Sequence, residues 1–175
     1  MVGLRPSYGR NSRYGVMPMA SSLDTVGPIT KTVEDCALVM EAIAGKDILD
    51  ATTVPGEVPS YSQMLQKDIR GIRIGIPREY IENLSEDMLQ MVERAADQFR
   101  QLGCEVMDVS LPHTKYAIAV YYVLVPCEDS SNQARMEGIR FGPRGHGANL
   151  EEAYMQARAA GFPAEVKRRI MIGAF

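Results

Sequence analysis

The sequence predicts an α/β fold, because a strand, a helix and a second strand follow one another in its centre. The apolar run IRIGIP (72–77) has the length of a short buried strand. Ser85 then caps a helix with apolar residues at helical spacing (Met88, Val92, Ala95, Phe99 and Leu102), which Gly103 ends. CEVMDVSLP (104–112) supplies the second strand. This order predicts two parallel strands joined by a right-handed helical crossover.

The other elements are predicted from caps, spacing and turn residues. Residues 1–30 contain strand-like and turn-like stretches without a long helix. Thr32 and Asp35 resemble a capping box, and the helix that follows should bury one face and end at Gly45. Residues 46–68 are rich in Asp, Thr, Pro, Gly and Ser and predict a surface loop. A third helix over about 115–135 should be largely buried, and two more helices are expected near 150–160 and 164–172, after the loop FGPRGHGAN.

Composition excludes several classes of protein. The 175 residues are 46% hydrophobic, which is typical of a globular domain, and the charges are nearly balanced, with 19 Lys+Arg against 22 Asp+Glu. No strong electrostatic attraction to nucleic acid or anionic membrane follows from a formal net charge of −3. Three widely spaced cysteines without a CxxC pair predict neither a zinc site nor a disulfide framework, and they favour a reducing, cytoplasmic compartment.

The residue patterns alone support little catalytic chemistry. The paired serines Ser21-Ser22 and Ser130-Ser131 lie outside any glycine-rich elbow, and neither GxSxG nor SxxK occurs, so polar turns explain them better than nucleophiles do. Asp47 and Asp50 lack a third candidate metal ligand, and we interpret them as turn residues. His146 lies between glycines on a predicted loop and is expected to contact water rather than a ligand.

The basic cluster of Lys167, Arg168 and Arg169 has two interpretations. Such a cluster is usually a solvated helix face, but an arginine can grip a carboxylate with two parallel hydrogen bonds. Arg169 lies three residues after Val166 and so shares a helix face with an apolar residue. One of the arginines is therefore expected to point inward.

The stretch GLRPSYGRNSRYG (3–15) raises a similar choice between a basic arm for nucleic acid and an ordered loop. Its tyrosines and three arginines could contact bases and phosphates, but the chain as a whole is acidic. Its glycines are placed for tight turns. We therefore predict an ordered loop.

Several phrases together resemble the amidase signature family. They are the opening stretch, SLDTVGPITKTVEDCALVMEAIAG (22–45), EDSSNQARMEGIRFG (128–142) and EVKRRIMIG (165–173), and they occur in the family's order. The last two are similar to the branch of the family that works in tRNA-dependent amidotransferases. Departures include Arg5 and Ser7 in place of Lys and Thr, and Cys127-Glu128-Asp129 where Ala-Glu-Ala is more usual, and an acidic Asp129 could affect ligand affinity.

The resemblance implies an incomplete part of the amidase signature fold, with a mixed sheet core flanked by helices. Residues 1–175 would form a partial amidase domain that is truncated at both ends. The family's catalytic Ser-Ser-Lys triad matches no residue here, so no catalytic residue is assigned and the chain alone is predicted to be inactive.

The resemblance also implies a substrate site and partners. Tyr121, with Tyr122 beside it, and Arg169 match positions that contact the glutamine from which the parent enzyme takes ammonia. The ammonia would pass to a B subunit that amidates misacylated Glu-tRNA(Gln) with ATP and magnesium, and a small C subunit completes the complex. No cofactor or metal would be bound by this chain.

Three alternatives stay open on the sequence alone. The tyrosines could be core aromatics of a buried helix. The chain could belong to another amidase that has no tRNA partner. It could also be a free-standing α/β binding or scaffold module without catalytic function.

Overall fold

The computed structural model describes all 175 residues, which form two compact units. The first unit contains Met1–Ser62 and Val120–Phe175, and the second contains Gln63–Ala119. Because the first unit is made of two stretches far apart in the chain, its core depends on contacts of long sequence separation. No helix is both long and apolar enough to cross a membrane.

The first unit combines a small antiparallel sheet with helices. Its strands are β1 (Val2–Gly3) and β2 (Ile29–Thr30), which pair antiparallel, and its helices are α1 (Val33–Ile43) and the single turn α2 (Tyr61–Met64). After the second unit come α5 (Ala117–Gln133), α6 (Leu150–Gly161) and α7 (Ala164–Ala174). Its buried apolar side chains are Ala20, Cys36, Ala37, Met40 and Ala157.

The second unit is the predicted strand, helix and strand. Strand β3 (Arg73–Pro77) leads through the short α3 (Arg78–Ile81) into α4 (Glu86–Gln101), and β4 (Glu105–Val109) returns beside β3. The strands are parallel, with Arg73 opposite Glu105 and Pro77 opposite Val109. The α/β class and the parallel pair are confirmed. A short 3₁₀ helix (Thr114–Tyr116) follows.

The α1 helix begins and ends as its sequence predicts. Thr32 has extended backbone angles, and its side chain accepts a hydrogen bond from the backbone N–H of Asp35 at 3.0 Å. Cys36, Ala37 and Met40 form the buried face. Gly45 has a φ of 122°, a conformation that residues with a side chain rarely adopt, so the chain turns away there.

The opening stretch is an ordered loop, and Arg13 holds it. The Arg13 guanidinium donates to the carbonyl oxygens of Ser21 (2.6 Å) and Asp24 (3.2 Å) and to the hydroxyls of Tyr8 (2.9 Å) and Thr52 (3.2 Å). Every one of these partners belongs to the protein itself. A nucleic-acid arm would need its arginines free for phosphates.

One expectation about helix burial is wrong. The α5 helix is not largely buried, since Ile118, Val123 and Leu124 are more than half exposed, and its buried positions begin only at Pro126. The apolar side chains of its first half are thus only partly covered by the rest of the structure. On α4 the buried or half-buried side chains are Leu89, Val92 and Ala96, and strand β4 lies against that helix.

Replacing Thr32 with Ala should destabilise α1. The substitution removes the acceptor for the Asp35 N–H, and losing such a cap costs about 1 kcal/mol of the free energy of unfolding. Denaturant unfolding of the full-length protein would measure the loss. Thr32→Asp, which keeps an acceptor, should retain most of the stability, and equal losses in both variants would contradict the cap.

Asp50 should make the stability of the first unit sensitive to acid. Hydrogen bonds from Thr52 and from the backbone N–H of Arg13 lower the pKa of Asp50 to about 2. The folded-state pKa lies below the unfolded value of about 3.9, so the stabilisation is full above pH 4 and is lost as the pH falls towards 2. Unfolding curves between pH 2 and 6 should therefore lose part of their pH dependence in Asp50→Asn but keep it in the exposed control Glu57→Gln.

Candidate site on helices α5 and α7

Helices α5 and α7 bring two of the predicted site residues together. The Arg169 guanidinium on α7 donates through Nη1 to the Tyr121 hydroxyl on α5 over 3.4 Å, although 48 residues separate them in the chain. The ring of Tyr122 lies edge-on to that of Tyr121, with 5.4 Å between the centroids. The structure thus places all three predicted residues in one region.

A glycine allows the two helices to approach closely at this point. Gly173 of α7 lies against the carbonyl group of Pro126 of α5, and a Cβ atom added to Gly173 would overlap that oxygen. Any other residue would therefore have to push the helices apart. Since Arg169 lies one helical turn before Gly173, the same contact sets how near the guanidinium comes to Tyr121.

Glu165 orients the two arginines. It accepts from Arg169 Nε at 3.0 Å and from Arg168 Nε and Nη2 at 2.9 Å each. The hydrogen bonds from Arg168 and then Arg169 lower the pKa of Glu165 to about 2, so it stays ionised at neutral pH. The Arg169 side chain is 35% exposed and that of Arg168 is 58% exposed. Arg169 is the arginine that turns inward.

A small cavity of about 40 Å³ lies between the two helices. Its walls combine aromatic rings, aliphatic side chains and guanidinium groups: Tyr121, Tyr122, Val125, Pro126, Arg168, Arg169 and Ile172. With Nε bound to Glu165 and one N–H of Nη1 bound to Tyr121, Arg169 keeps Nη2 and the other N–H of Nη1 for an acidic ligand, and the Tyr121 hydroxyl adds a directed hydrogen bond. This arrangement can bind a carboxylate. The tyrosines are 45% and 54% exposed, so they are not core aromatics of the 175 residues.

Of the paired serines, Ser21 and Ser22 form hydrogen bonds that join separate segments of the fold. Ser22 donates through its hydroxyl to Glu128, which also accepts from the Ser22 backbone N–H at 3.1 Å. The Ser21 carbonyl is one of the oxygens bound by Arg13. No histidine or lysine forms a hydrogen bond to any of the four hydroxyls, so the pattern of a nucleophile beside its base does not occur here.

The other candidate residues lie apart from this site. His146 is exposed on the loop before α6, where its backbone N–H donates to Gln156 at 3.1 Å. Asp47 and Asp50 accept hydrogen bonds within their own turn and from the opening loop. No three His, Cys, Asp or Glu side chains converge as a metal-binding group would require.

Sequence reasoning missed Glu165 and the burial of Asp129. The spacing of Glu165 and Arg169, four residues apart on one helix, was a usable signal for the ion pair. Asp129 is completely buried, with 0% of its surface exposed. Its position in a polar run gave no sign of this burial.

Comparison with known proteins identifies the class. The sequence profile of the amidase family matches residues 1–175. The chain therefore belongs to the amidase family, and its fold is an incomplete part of the fold seen in solved amidases.

The proteins similar to this chain include the A subunit of an amidotransferase and a peptide amidase. The chain is 52% identical over 177 residues to the A subunit of glutamyl-tRNA(Gln) amidotransferase from Fusobacterium nucleatum, matching all of this chain and 36% of that protein. The crystal structure of the same kind of protein from Thermotoga maritima superposes with a TM-score of 0.69 at 40% identity, over 98% of this chain and 32% of that one. Native peptide amidase from Stenotrophomonas maltophilia gives 0.71 at 28% identity, over 95% and 35%. The chain thus spans about a third of the length of its relatives.

Proposed function

We propose that this chain forms the glutamine-binding wall of the A subunit of a glutamyl-tRNA(Gln) amidotransferase. The observation that carries the proposal is the Arg169–Tyr121 pair, because it presents a guanidinium and a phenol hydroxyl to one small cavity. Two features of the comparisons support it, namely full coverage of the chain and about half of its residues identical to proteins of that name. Tyr122 forms the aromatic side of the same cavity.

In this proposal the chain binds and orients the substrate. Arg169 binds the α-carboxylate of glutamine with charge-assisted hydrogen bonds, and the Tyr121 hydroxyl forms one further hydrogen bond to the substrate. The side-chain amide then extends away towards a nucleophilic serine of a Ser-Ser-Lys triad, which these 175 residues do not supply. Attack of that serine on the amide carbon releases ammonia, and water then hydrolyses the acyl-enzyme to glutamate.

The rest of the proposed reaction takes place on partner subunits. Ammonia passes to a B subunit, which amidates Glu-tRNA(Gln) with ATP and magnesium in a cytoplasmic complex completed by a C subunit. In this proposal ATP and magnesium act on that B subunit.

Arg169→Ala in the full-length protein, assembled in its complex, should raise the KM for glutamine. Loss of a charge-assisted contact costs about 1.5–3 kcal/mol, which corresponds to about tenfold or more in apparent affinity. Steady-state ammonia release at varied glutamine concentration measures the change. Arg94→Ala is the control, since Arg94 is an exposed arginine on α4 outside the cavity, and it should leave the KM for glutamine unchanged.

Two outcomes would count against this assignment. An unchanged KM in Arg169→Ala would reject the glutamine site. A full-length protein that hydrolyses neutral amides and ignores glutamine would favour the second candidate, an amidase without tRNA partners, which the similarity to peptide amidase supports.

Removing the hydroxyls of this chain's paired serines should leave catalysis intact. Ser131→Ala and Ser22→Ala in the full-length protein should keep kcat for ammonia release within about threefold, whereas losing a serine nucleophile typically costs a factor of about 10⁴ or more. A thermal unfolding curve controls for damage to the Ser22–Glu128 contact. A collapse of kcat in a folded variant would place the nucleophile in this chain.

A further inference from the structure

Asp129 is a buried carboxylate without a partner. It is 0% exposed, and neither of its oxygens accepts a hydrogen bond. Buried carboxylates are normally paired or hydrogen-bonded, because removing a charge from water is costly. The proposed reaction does not use this side chain, so its presence calls for a separate explanation.

The position of Asp129 connects it to the glutamine site. Eight residues, or about 2.2 helical turns, separate it from Tyr121, so Asp129 lies about 80° around α5 from that residue. Between them, at Pro126, α7 makes its close approach through Gly173. Asp129 therefore lies beside the helix contact that sets the distance between Arg169 and Tyr121.

Three charged groups act on Asp129 from the elements packed around it. Burial raises the pKa of Asp129, the positive charge of Arg169 on α7 opposes this rise, and the carboxylates of Asp24 in the 18–24 loop and of Glu128 on α5 add to it. Asp129 lies about one turn after Pro126 and Arg169 about one turn before Gly173, so the contact between Gly173 and Pro126 brings the two charges into the same region. Since Asp129 forms no hydrogen bond to Arg169, whose Nε is held by Glu165, the interaction acts through space.

We propose that Asp129 is a positioning residue that sets the affinity for glutamine through the charge of Arg169. When Asp129 is ionised, its negative charge offsets part of the positive field that attracts the substrate's α-carboxylate, and glutamine binds more weakly. When it is protonated, Arg169 presents its full charge. This inference rests on the proposed glutamine site and adds to it a residue that touches no substrate atom.

Glu165 does not produce the same effect. Its pKa of about 2 keeps it ionised throughout the neutral range, so its influence on Arg169 does not change with pH there. The carboxylate of free glutamine is likewise ionised in that range, since α-carboxyl groups have a pKa of about 3.5. Among the carboxyl groups acting on Arg169, Asp129 is the one whose pKa is raised by burial, so it titrates at a higher pH than an ordinary aspartate does.

The test is glutaminase kinetics of the full-length complex carrying Asp129→Asn, at pH values from about 5.5 to about 8.5, a range that brackets the raised carboxyl pKa values known for buried groups. Removing the negative charge of Asp129 should lower KM for glutamine by about three- to tenfold at the upper end of the range, because Arg169 then attracts the substrate carboxylate with its full charge. The value of kcat should stay within about twofold, because the nucleophile lies elsewhere. KM should also rise with pH in the wild type and stay flat in the variant.

A neutral amide substrate separates this effect from a general change in the pocket. Its KM should not respond to Asp129→Asn, since it carries no carboxylate for Arg169. Glu151→Gln, which removes an exposed carboxylate on α6, should leave all parameters unchanged. Asp129→Ala provides a second variant if Asn packs poorly, because alanine is smaller and brings no polar group that needs a hydrogen-bond partner.

The outcomes distinguish the inference from the proposed function. If Arg169→Ala raises KM but both Asp129 variants match the wild type, the role of Asp129 is wrong and the glutamine site stands. If Arg169→Ala has no effect, the glutamine site itself is wrong. If neither Asp129 variant folds, the wild type is compared on its two substrates. A KM for glutamine that changes with pH no more than the KM for the neutral amide overturns the inference.

Discussion

The first unit depends on the way the second half of α5 holds the backbone of residues 18–22. Glu128 accepts from Ser22, Asn132 donates to the Met19 carbonyl at 2.9 Å, and Gln133 donates to the Pro18 carbonyl at 2.8 Å. These contacts join segments more than 100 residues apart, so they carry a large loop-closure cost that packing must offset. The opening loop, α6 and α7 all meet this part of α5, since Arg158 of α6 donates to the Gln133 carbonyl and Gly173 of α7 lies on Pro126.

Helix α5 has two halves of different character, and the site lies where they meet. Before Pro126 its side chains are mostly exposed and apolar, while after it they are polar and include the buried Asp129 and Gln133. Tyr121 and Tyr122 stand in the exposed half, close enough to α7 to meet its arginines. The buried polar half fixes the helix, and the apolar side chains of the other half stay largely exposed.

Local signals in the sequence were sufficient for most of the fold. Thr32 and Gly45 marked the two ends of α1. The apolar runs of β3 and β4, with a helix between them, predicted a parallel pair of strands. These features depend on neighbouring residues, which is why periodicity and capping rules found them. The burial of α5 was misjudged because an apolar sequence shows that a helix needs a partner but not where that partner is.

The candidate site could be predicted only in part. A resemblance to family motifs singled out Tyr121, Tyr122 and Arg169, and the structure brings these residues together, but their role towards glutamine stays a prediction. Periodicity could not have paired residues 48 positions apart. The isolation of Asp129 was equally hidden, because it results from the three-dimensional crossing of α5, α7 and the 18–24 loop.

The tight crossing at Gly173 also limits how this protein can be engineered. Exchanging a glycine inside a helix for alanine is a common route to thermostability, since it gains up to about 1 kcal/mol of helix propensity. Here the added methyl group would wedge α7 away from the Pro126 carbonyl. Stability engineering guided by helix propensity alone would select this position. The substitution would then disrupt the contact between α7 and α5.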